Sequence, residues 1–234
     1  MSGTLWLTAA GLVVLGYLVG SLSPSVFLGR ILRGVDVQQH GSGNAGTTNA
    51  FRVLGVRLGL AVLFADLLKG VLPVLLARYL STPLVTVFVA FACVAGHNYS
   101  IFLRGKGGKG VATGAGAAIA MMPIPMAFLI ALYLLLLFTT RVVSVASIVC
   151  TVMLPITATL FHEPLPYIVV SCLMSLVVLW AHRANFRRLW RRQEPRVRFP
   201  WNRPATAESA ELDGAAANDK AGREADTAGN PGRL

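Results

Sequence analysis

Acidic side chains are scarce in this chain, which has 10 Asp and Glu residues against 21 Lys and Arg. Before Glu194, the acids are only Asp36, Asp66 and Glu163. A catalytic site built on two metal ions needs several carboxylates close together, so this distribution argues against such a site. We therefore predict no metal.

Charge of either sign is also rare. Only 13% of the residues are charged, 55% are hydrophobic, and the mean hydropathy is +0.64. A soluble domain needs more polar surface, so the composition excludes an ordinary soluble protein. The three cysteines lie in apolar stretches without CxxC spacing, so we expect buried apolar residues rather than ligands or disulfides. They are Cys93, Cys150 and Cys172.

Long apolar runs dominate the first 190 residues, and each full-length run is long enough to cross a bilayer core of about 30 Å. The sequence predicts an all-α polytopic membrane bundle of about seven helices, of which the fourth and fifth are short. The first run has no basic segment before it, so we expect a retained helix and not a cleaved signal peptide. The predicted spans are Leu5–Leu22, Leu58–Leu76, Leu84–Phe102, Val111–Pro123, Pro125–Phe138, Val143–Phe161 and Tyr167–Ala181.

The connections between these runs differ in charge. With seven spans, one side holds nearly all Lys and Arg, whereas the other side holds only Arg78. Because Lys and Arg accumulate on the cytoplasmic side, we predict an N-terminus outside, a cytoplasmic C-terminus and a location in the cytoplasmic membrane. Residues 1–198 form the predicted membrane domain. From residue 199 to 234 the composition becomes rich in Ala, Gly, Pro and acids, which predicts a disordered cytoplasmic tail.

Three glycine-rich or cationic stretches fall on the predicted cytoplasmic side. The first, Gly41–Arg52 (GSGNAGTTNAFR), places hydroxyl and amide side chains between glycines and ends on an arginine. Such a stretch can bind an oxyanion, although a polar turn followed by a helix cap has the same composition. Our candidates here are Ser42 for catalysis and Thr48, Asn49 and Arg52 for substrate binding.

The second stretch, Gly96–Thr113, contains GKGGKG immediately before an apolar run. Two ammonium groups and the free N–H groups at a helix N-terminus form an anion site. The stretch lacks the GK[ST] ending of a nucleotide-binding P-loop, and no strand precedes it. An ordinary cationic loop remains the alternative. The substrate-binding candidates are Gly105, Lys106, Gly107, Gly108, Lys109 and Gly110.

The third stretch, His182–Glu194, begins with His182 and Asn185 on one helix face at the cytoplasmic surface. An imidazole there can act as a base or donate to a phosphate, so both residues are catalytic candidates. An interfacial anchor beside Arg183 and Trp190 is the alternative.

Two pairs of polar residues lie inside predicted spans. Asp66 and Lys69 stand three residues apart, deep in the second span, where an unpaired charge is costly. We expect them to pair, face inward and serve a structural role. Ser144 and Ser147 share a helix face near the cytoplasmic end of the sixth span. We include Ser147 among the substrate-binding candidates, with helix packing as the alternative.

The motifs GSGNAGTTNAFRVLG, Asp66-x-x-Lys69-Gly70, GHNYSIFLxGKGGKGVATG and HRxNxxRL resemble those of the bacterial acyl-phosphate:glycerol-3-phosphate acyltransferases, the PlsY family. The resemblance covers about residues 20–194. It implies a seven-span enzyme that transfers a fatty acyl group from acyl phosphate to glycerol 3-phosphate, giving lysophosphatidic acid and phosphate. It implies functional roles for Ser42, Arg52, the loop Gly105–Gly110, His182, Asn185 and Glu194, the last of which we treat as structural.

The chain departs from the family pattern at four places without losing a core motif residue. These are Gln38–Gln39, Ile101, Ala184 and Arg192. The His-x4-Asp motif of other glycerol-phosphate acyltransferases is absent. The resemblance implies glycerol 3-phosphate, acyl phosphate and membrane lipids as partners, and we expect no cofactor and no nucleic acid. The base is His182 or a substrate phosphate.

Two other classes of protein were weighed against this interpretation. A transporter for a phosphorylated solute would also use Asp66 and Lys69, but it needs polar groups near both membrane faces. An intramembrane serine protease would need its nucleophile inside a span, whereas Ser42 is in a predicted loop.

Overall fold

The computed structural model describes residues 3–197, and every regular element within them is helical. The all-α prediction is confirmed. All nine α-helices among the described residues, and two short 3-10 helices (Val37–Gln39 and Ile101–Leu103), belong to one compact unit. The predicted tail, residues 199–234, lies outside the described residues, so its disorder remains a prediction. The helices are α1 (Gly3–Ser21), α2 (Pro24–Arg33), α3 (Thr47–Leu80), α4 (Pro83–Asn98), α5 (Val111–Met121), α6 (Pro123–Thr140), α7 (Val143–Leu160), α8 (Leu165–Ala181) and α9 (Arg183–Trp190).

Proline and glycine set several helix boundaries. Helices α2, α4, α6 and α8 each have a proline in the first two positions, where its missing N–H costs nothing. Helix α3 is broken at Gly55, whose φ of 82° and ψ of 179° are not helical. A left-handed φ of this kind favours glycine. The short helical run that carries Arg52 is therefore separated from the longer part of α3 that follows Gly55.

The tightest helix crossings use glycine to bring two backbones together. A Cβ on Gly20 of α1 would lie 2.2 Å from the carbonyl oxygen of Cys93 in α4. A Cβ on Gly70 of α3 would lie 2.1 Å from the carbonyl oxygen of Thr113 in α5. Small residues drive close helix packing in membranes because the helices gain van der Waals contact. The pairs α1–α4 and α3–α5 are therefore closely packed.

The number of membrane spans depends on how the bent helix pairs are counted. By length and composition, four helices can cross a membrane, or six if each of the bent pairs α1–α2 and α8–α9 counts as one span. Helix α5 is apolar but has only 11 residues, which span roughly 16 Å. The prediction of about seven spans is thus supported only as a multi-helix bundle.

The ends of several helices meet on one side of the bundle. Ser100, which follows α4, donates its hydroxyl hydrogen to the Ser21 carbonyl at the end of α1, at 2.6 Å. Lys109, just before α5, reaches Asn185 in α9. Gln38, just before the first stretch, donates to the Lys106 carbonyl, so this side collects all three glycine-rich or cationic stretches.

Candidate active site

Asn49 holds the first loop in shape. Its Oδ1 accepts the N–H of Ser42 at 2.8 Å, and its Nδ2 donates to the carbonyls of Val37 and His40 at 2.8 and 3.0 Å. Asn49 is buried and lies in the first turn of α3, which begins at Thr47. Gly41, with φ of +62°, leaves room for the Asn49 amide. The hydroxyl of Ser42 is thereby displayed on an exposed loop of defined shape.

The glycine loop 105–110 uses most of its own N–H groups internally. Gly107 and Gly108 donate to the carbonyls of Asn98 and His97 at 3.1 and 2.9 Å. Gly105 and Lys106 donate to the carbonyls of Ser100 and Leu103. The N–H groups that remain without a backbone partner among the described residues begin at Lys109 and continue through the first turn of α5. The part of this loop that could contact an anion is therefore its end, at Lys109, together with the N-terminus of α5.

The first and second loops touch each other. Gln38 donates its side-chain amide to the Lys106 carbonyl at 2.8 Å. A Cβ on Gly46 would lie 3.9 Å from the Cα of Gly108, so these two backbones are in contact distance. The exposed Ser42 and the lysines of the second loop consequently face the same space.

The third stretch joins the second through Asn185. Lys109 donates its ammonium to Asn185 Oδ1 at 2.5 Å, and Asn185 Nδ2 donates to Glu194 Oε1 at 2.6 Å. Arg188 Nε donates to the other oxygen of Glu194 at 2.7 Å. Since an ammonium only donates and a carboxylate only accepts, these contacts fix the orientation of the Asn185 amide. Glu194 thus fixes Asn185, and Asn185 in turn accepts the hydrogen bond from Lys109.

A polar cavity of about 560 Å³ opens where the three stretches meet. Seven of the predicted residues line it: Ser42, Gly105, Lys106, Gly107, Gly108, Lys109 and Asn185. Its wall contains five cations and, among the described residues, no acid. Those cations are Lys106, Lys109, Arg183, Arg187 and Arg188. A wall of this charge is suited to anions.

Two ionisable groups at the cavity have shifted pKa values. Burial lowers the pKa of Lys109 to about 8, with Glu194 opposing the shift and Arg188 and Arg52 adding to it. For Glu194, burial raises the pKa, but hydrogen bonds from Arg188 and Asn185 lower it more, so the pKa of the carboxyl lies below its usual range. Glu194 is therefore ionised at neutral pH, while Lys109 loses its proton more readily than an ordinary lysine.

His182 lies at the turn between α8 and α9, with only 2% of its surface exposed. Its Nδ1 is 2.8 Å from the Val178 carbonyl, which can only accept, so Nδ1 carries a proton. In the neutral ring, Nε2 is then left with a lone pair, as a base requires. His182 does not line the cavity, although its neighbours Ala181 and Arg183 do.

Other predicted binding residues lie outside the cavity wall. Arg52 is exposed on the short run before Gly55, near enough to Lys109 to affect its pKa. Thr48 is half-buried on the first turn of α3, and Asn49 spends its amide on the loop. Ser147 is buried beside Tyr133 between α6 and α7. This position agrees with the alternative that its hydroxyl serves helix packing. Gly110 is buried against Asn98.

The cavity wall also contains residues that the sequence did not single out. Asn98 and Tyr99 come from the end of α4, and Arg183 and Arg187 come from α9. All four residues lie inside the second and third stretches. Their closeness in the sequence to the glycines and to His182 is therefore what could have identified them as candidates. Their orientation depends on how α4 and α9 end, which a single sequence does not show. No group of three or more His, Cys, Asp or Glu in residues 3–197 is arranged to hold a metal ion.

Comparison with known proteins agrees with this geometry. The glycerol-3-phosphate acyltransferase family matches residues 10–192. A glycerol-3-phosphate acyltransferase of Bacillus velezensis is 36% identical over 188 residues, covering 80% of this chain and 97% of the relative. Glycerol-3-phosphate acyltransferase 2 of Moorella thermoacetica is 40% identical over 185 residues, covering 79% and 94%.

Two solved structures share the fold. The crystal structure of PlsY, an integral membrane glycerol 3-phosphate acyltransferase, in its glycerol 3-phosphate form is 35% identical with a TM-score of 0.78, covering 82% of this chain and 96% of that one. The lysophosphatidic acid form gives a TM-score of 0.76 with the same coverage. This chain is therefore a multi-pass membrane protein that belongs to the glycerol-3-phosphate acyltransferase family, in its PlsY group.

Proposed function

We propose that this protein transfers a fatty acyl group from acyl phosphate to glycerol 3-phosphate, releasing lysophosphatidic acid and phosphate. The observation that carries the proposal is the convergence of three separate stretches on one cavity with five cations in its wall. Both substrates are phosphate anions, which such a wall can neutralise. The solved relatives, captured with glycerol 3-phosphate and with lysophosphatidic acid, support the same acceptor and product.

The chemistry is a displacement at the acyl carbon. The first hydroxyl of glycerol 3-phosphate attacks the carbonyl carbon, a new C–O ester bond forms, and the bond from carbon to the phosphate oxygen breaks. Phosphate leaves with the bonding electrons, and the hydroxyl proton passes to a base. Since phosphate is a good leaving group, the protein's main tasks are to orient the hydroxyl and to stabilise negative charge.

The site suggests a role for each group of residues. Lys109, with the N–H groups at the start of α5, binds a phosphate, while Lys106 and Arg52 add positive potential. Asn185 orients Lys109, and Ser42 hydrogen-bonds to substrate from the first loop. His182 takes or orients the hydroxyl proton through Nε2 once the substrate or a small side-chain shift connects it to the cavity; a substrate phosphate is the alternative base.

An apolar cavity supports an acyl donor. It has a volume of about 640 Å³ and lies between α2, α3 and the turn that precedes the glycine loop. Phe27, Ala65 and Phe102 are among its lining residues. We assign it to the fatty chain, because its chemistry suits hydrocarbon and Phe102 belongs to the same stretch as Lys109.

We also propose seven membrane passes, an outside N-terminus and a cytoplasmic active site. Helix α5 then counts as a short pass, and Arg78 near the far end of α3 supports this by donating to the Ala120 carbonyl at the end of α5. The cations at the cavity side agree with a cytoplasmic location. Cysteines introduced beside Glu163 should react with an impermeant thiol reagent from outside cells that lack the native thiols, whereas cysteines at Lys106 should not.

The decisive experiment uses purified protein with palmitoyl phosphate and glycerol 3-phosphate. We expect lysophosphatidic acid and inorganic phosphate in equal amounts, and little product when palmitoyl-CoA replaces the acyl phosphate. Arg33→Ala, which removes an exposed cation from α2, serves as the control and should retain full activity. No product, together with uptake of glycerol 3-phosphate into vesicles that contain the protein, would instead identify a transporter.

A further inference from the structure

A buried group of charged and polar side chains lies directly beneath the glycine loop. Asp66 and Lys69 form an ion pair of 2.8 Å, and neither is more than 6% exposed. Nδ1 of His97 lies 3.6 Å from Asp66 Oδ1 and 3.1 Å from the hydroxyl of Thr113. His97 and Thr113 are also buried. These four residues come from α3, α4 and α5, so the group ties the three central helices together.

The group also reaches the helix ends that border the active site. Thr47, the first residue of α3, donates its hydroxyl to Asp66 Oδ2 at 2.9 Å. Lys69 donates to the Leu22 carbonyl, just beyond α1, at 2.6 Å. Asp66 and Lys69 therefore fix the first loop's exit and the end of α1 at the same time.

His97 is the point at which this group meets the glycine loop. Its carbonyl accepts the N–H of Gly108 at 2.9 Å. A Cβ on Gly108 would lie 2.0 Å from His97 Nε2, so the loop backbone packs against the imidazole itself. Any displacement of the ring would move Gly108, and with it Lys109, the next residue.

The simplest explanation for this buried group is that it only stabilises the fold. A buried ion pair is a costly way to do so, because each charge has lost its water; apolar side chains of similar size usually serve folding as well or better. What a buried, ion-paired polar group adds is a defined geometry. The geometry defined here is that of the loop that carries Lys109.

We propose that Asp66, Lys69, His97 and Thr113 are positioning residues that set the glycine loop for binding a phosphate group. None of them lines the cavity, so they act through Gly108 and Lys109. The identity of the phosphate, donor or acceptor, rests on the proposed function. The inference that the loop binds a phosphate group does not rest on that function.

Two sets of variants separate positioning from folding. The double variant Asp66→Asn with Lys69→Met removes both charges at nearly constant shape and leaves no unpaired charge. Thr113→Val removes one hydroxyl from His97 while keeping the side-chain volume, and Thr113→Ser restores that hydroxyl. Thermal unfolding in detergent identifies the variants that remain folded.

Steady-state kinetics then vary one substrate while the other saturates. We expect the double variant to raise KM for at least one phosphate substrate about tenfold, with kcat within about twofold of the unaltered protein. Thr113→Val should raise the same KM about threefold, and Thr113→Ser should restore it. The substrate whose KM rises identifies the phosphate that the loop holds.

Other results would overturn the inference. Folded variants that keep both KM values, or that lose kcat alone, would reduce the group to a folding role. If the double variant does not fold, the Thr113 pair decides the question. If the unaltered protein makes no lysophosphatidic acid, the proposed function fails, and a titration with inorganic phosphate still tests the loop: Thr113→Val must weaken binding and Thr113→Ser must not.

Discussion

Two clusters of charge lie close together in this molecule and differ in how their charges are balanced. Around the cavity, five cations face the open space, and the nearest acid, Glu194, is held by Asn185 and Arg188. Beneath the glycine loop, Asp66 and Lys69 are buried and paired with each other. Positive charge in the first cluster is in excess, whereas in the second cluster it is balanced within the protein.

The difference follows from access to water. A charge that has lost its hydration must be paired within the protein, because the unpaired ion is too costly. A charge at an open cavity keeps its water until an anionic ligand replaces it. The open cluster is therefore the one that can bind phosphate, and the closed cluster is the one that can shape the site.

The largest expected effect comes from His182, which is buried like the second cluster but adjoins the first. We predict that His182→Ala lowers kcat by about 10²–10⁴-fold with little change in KM, because general-base removal typically has this size. Steady-state turnover with palmitoyl phosphate measures it. Near-normal turnover in a folded variant would make His182 an interfacial anchor and leave the substrate phosphate as the base.

Lys109 and Lys106 both line the cavity but differ in how far they are buried. Lys109 is half-buried and held by Asn185, whereas Lys106 is exposed. We predict that Lys109→Ala raises the KM of a phosphate substrate about 10–100-fold, since a charge-assisted hydrogen bond is worth about 1.5–3 kcal/mol. The matched variant Lys106→Ala should raise it less than about fivefold. Equal effects would show that the wall acts only through its total charge.

The pH dependence tests the same lysine without removing it. Burial lowers the pKa of Lys109 to about 8, so its ammonium is charged below this pH and neutral above it. We therefore expect kcat/KM to fall about tenfold between pH 7 and pH 9, because this parameter reports the free enzyme. Lys109→Arg keeps its charge throughout, so whatever its absolute activity, its alkaline decline should vanish. A decline that persists in Lys109→Arg would assign it to another group.

The smallest effect is expected at Ser147. Its hydroxyl lies beside Tyr133 between α6 and α7, away from both charged clusters. Ser147→Ala should change KM and kcat by less than about twofold, as measured in the same assay. A larger rise in KM with unchanged stability would return Ser147 to the substrate site.

The comparison also shows where sequence reasoning about the site succeeded. The ion pair of Asp66 and Lys69 was expected from their spacing, because charges three residues apart in an apolar helix must find partners. Lys109 was expected beside a helix start because glycines precede it, and it lines the cavity just before α5. By contrast, Asn49 and Ser147 had suitable chemistry, but their partners came from other segments: Val37 and His40 for Asn49, and Tyr133 for Ser147.

By itself, the sequence determined the helical class, the membrane location and the three glycine-rich or cationic stretches. These depend on local properties: the length of apolar runs, the conformations open to glycine and the chemistry of neighbouring side chains. Only the tertiary structure decided that His97 supports the glycine loop, that Arg183 and Arg187 line the cavity, and that α6, expected to be short, has 18 residues. Those outcomes depend on which helix ends meet, and that is set by packing between segments far apart in the chain.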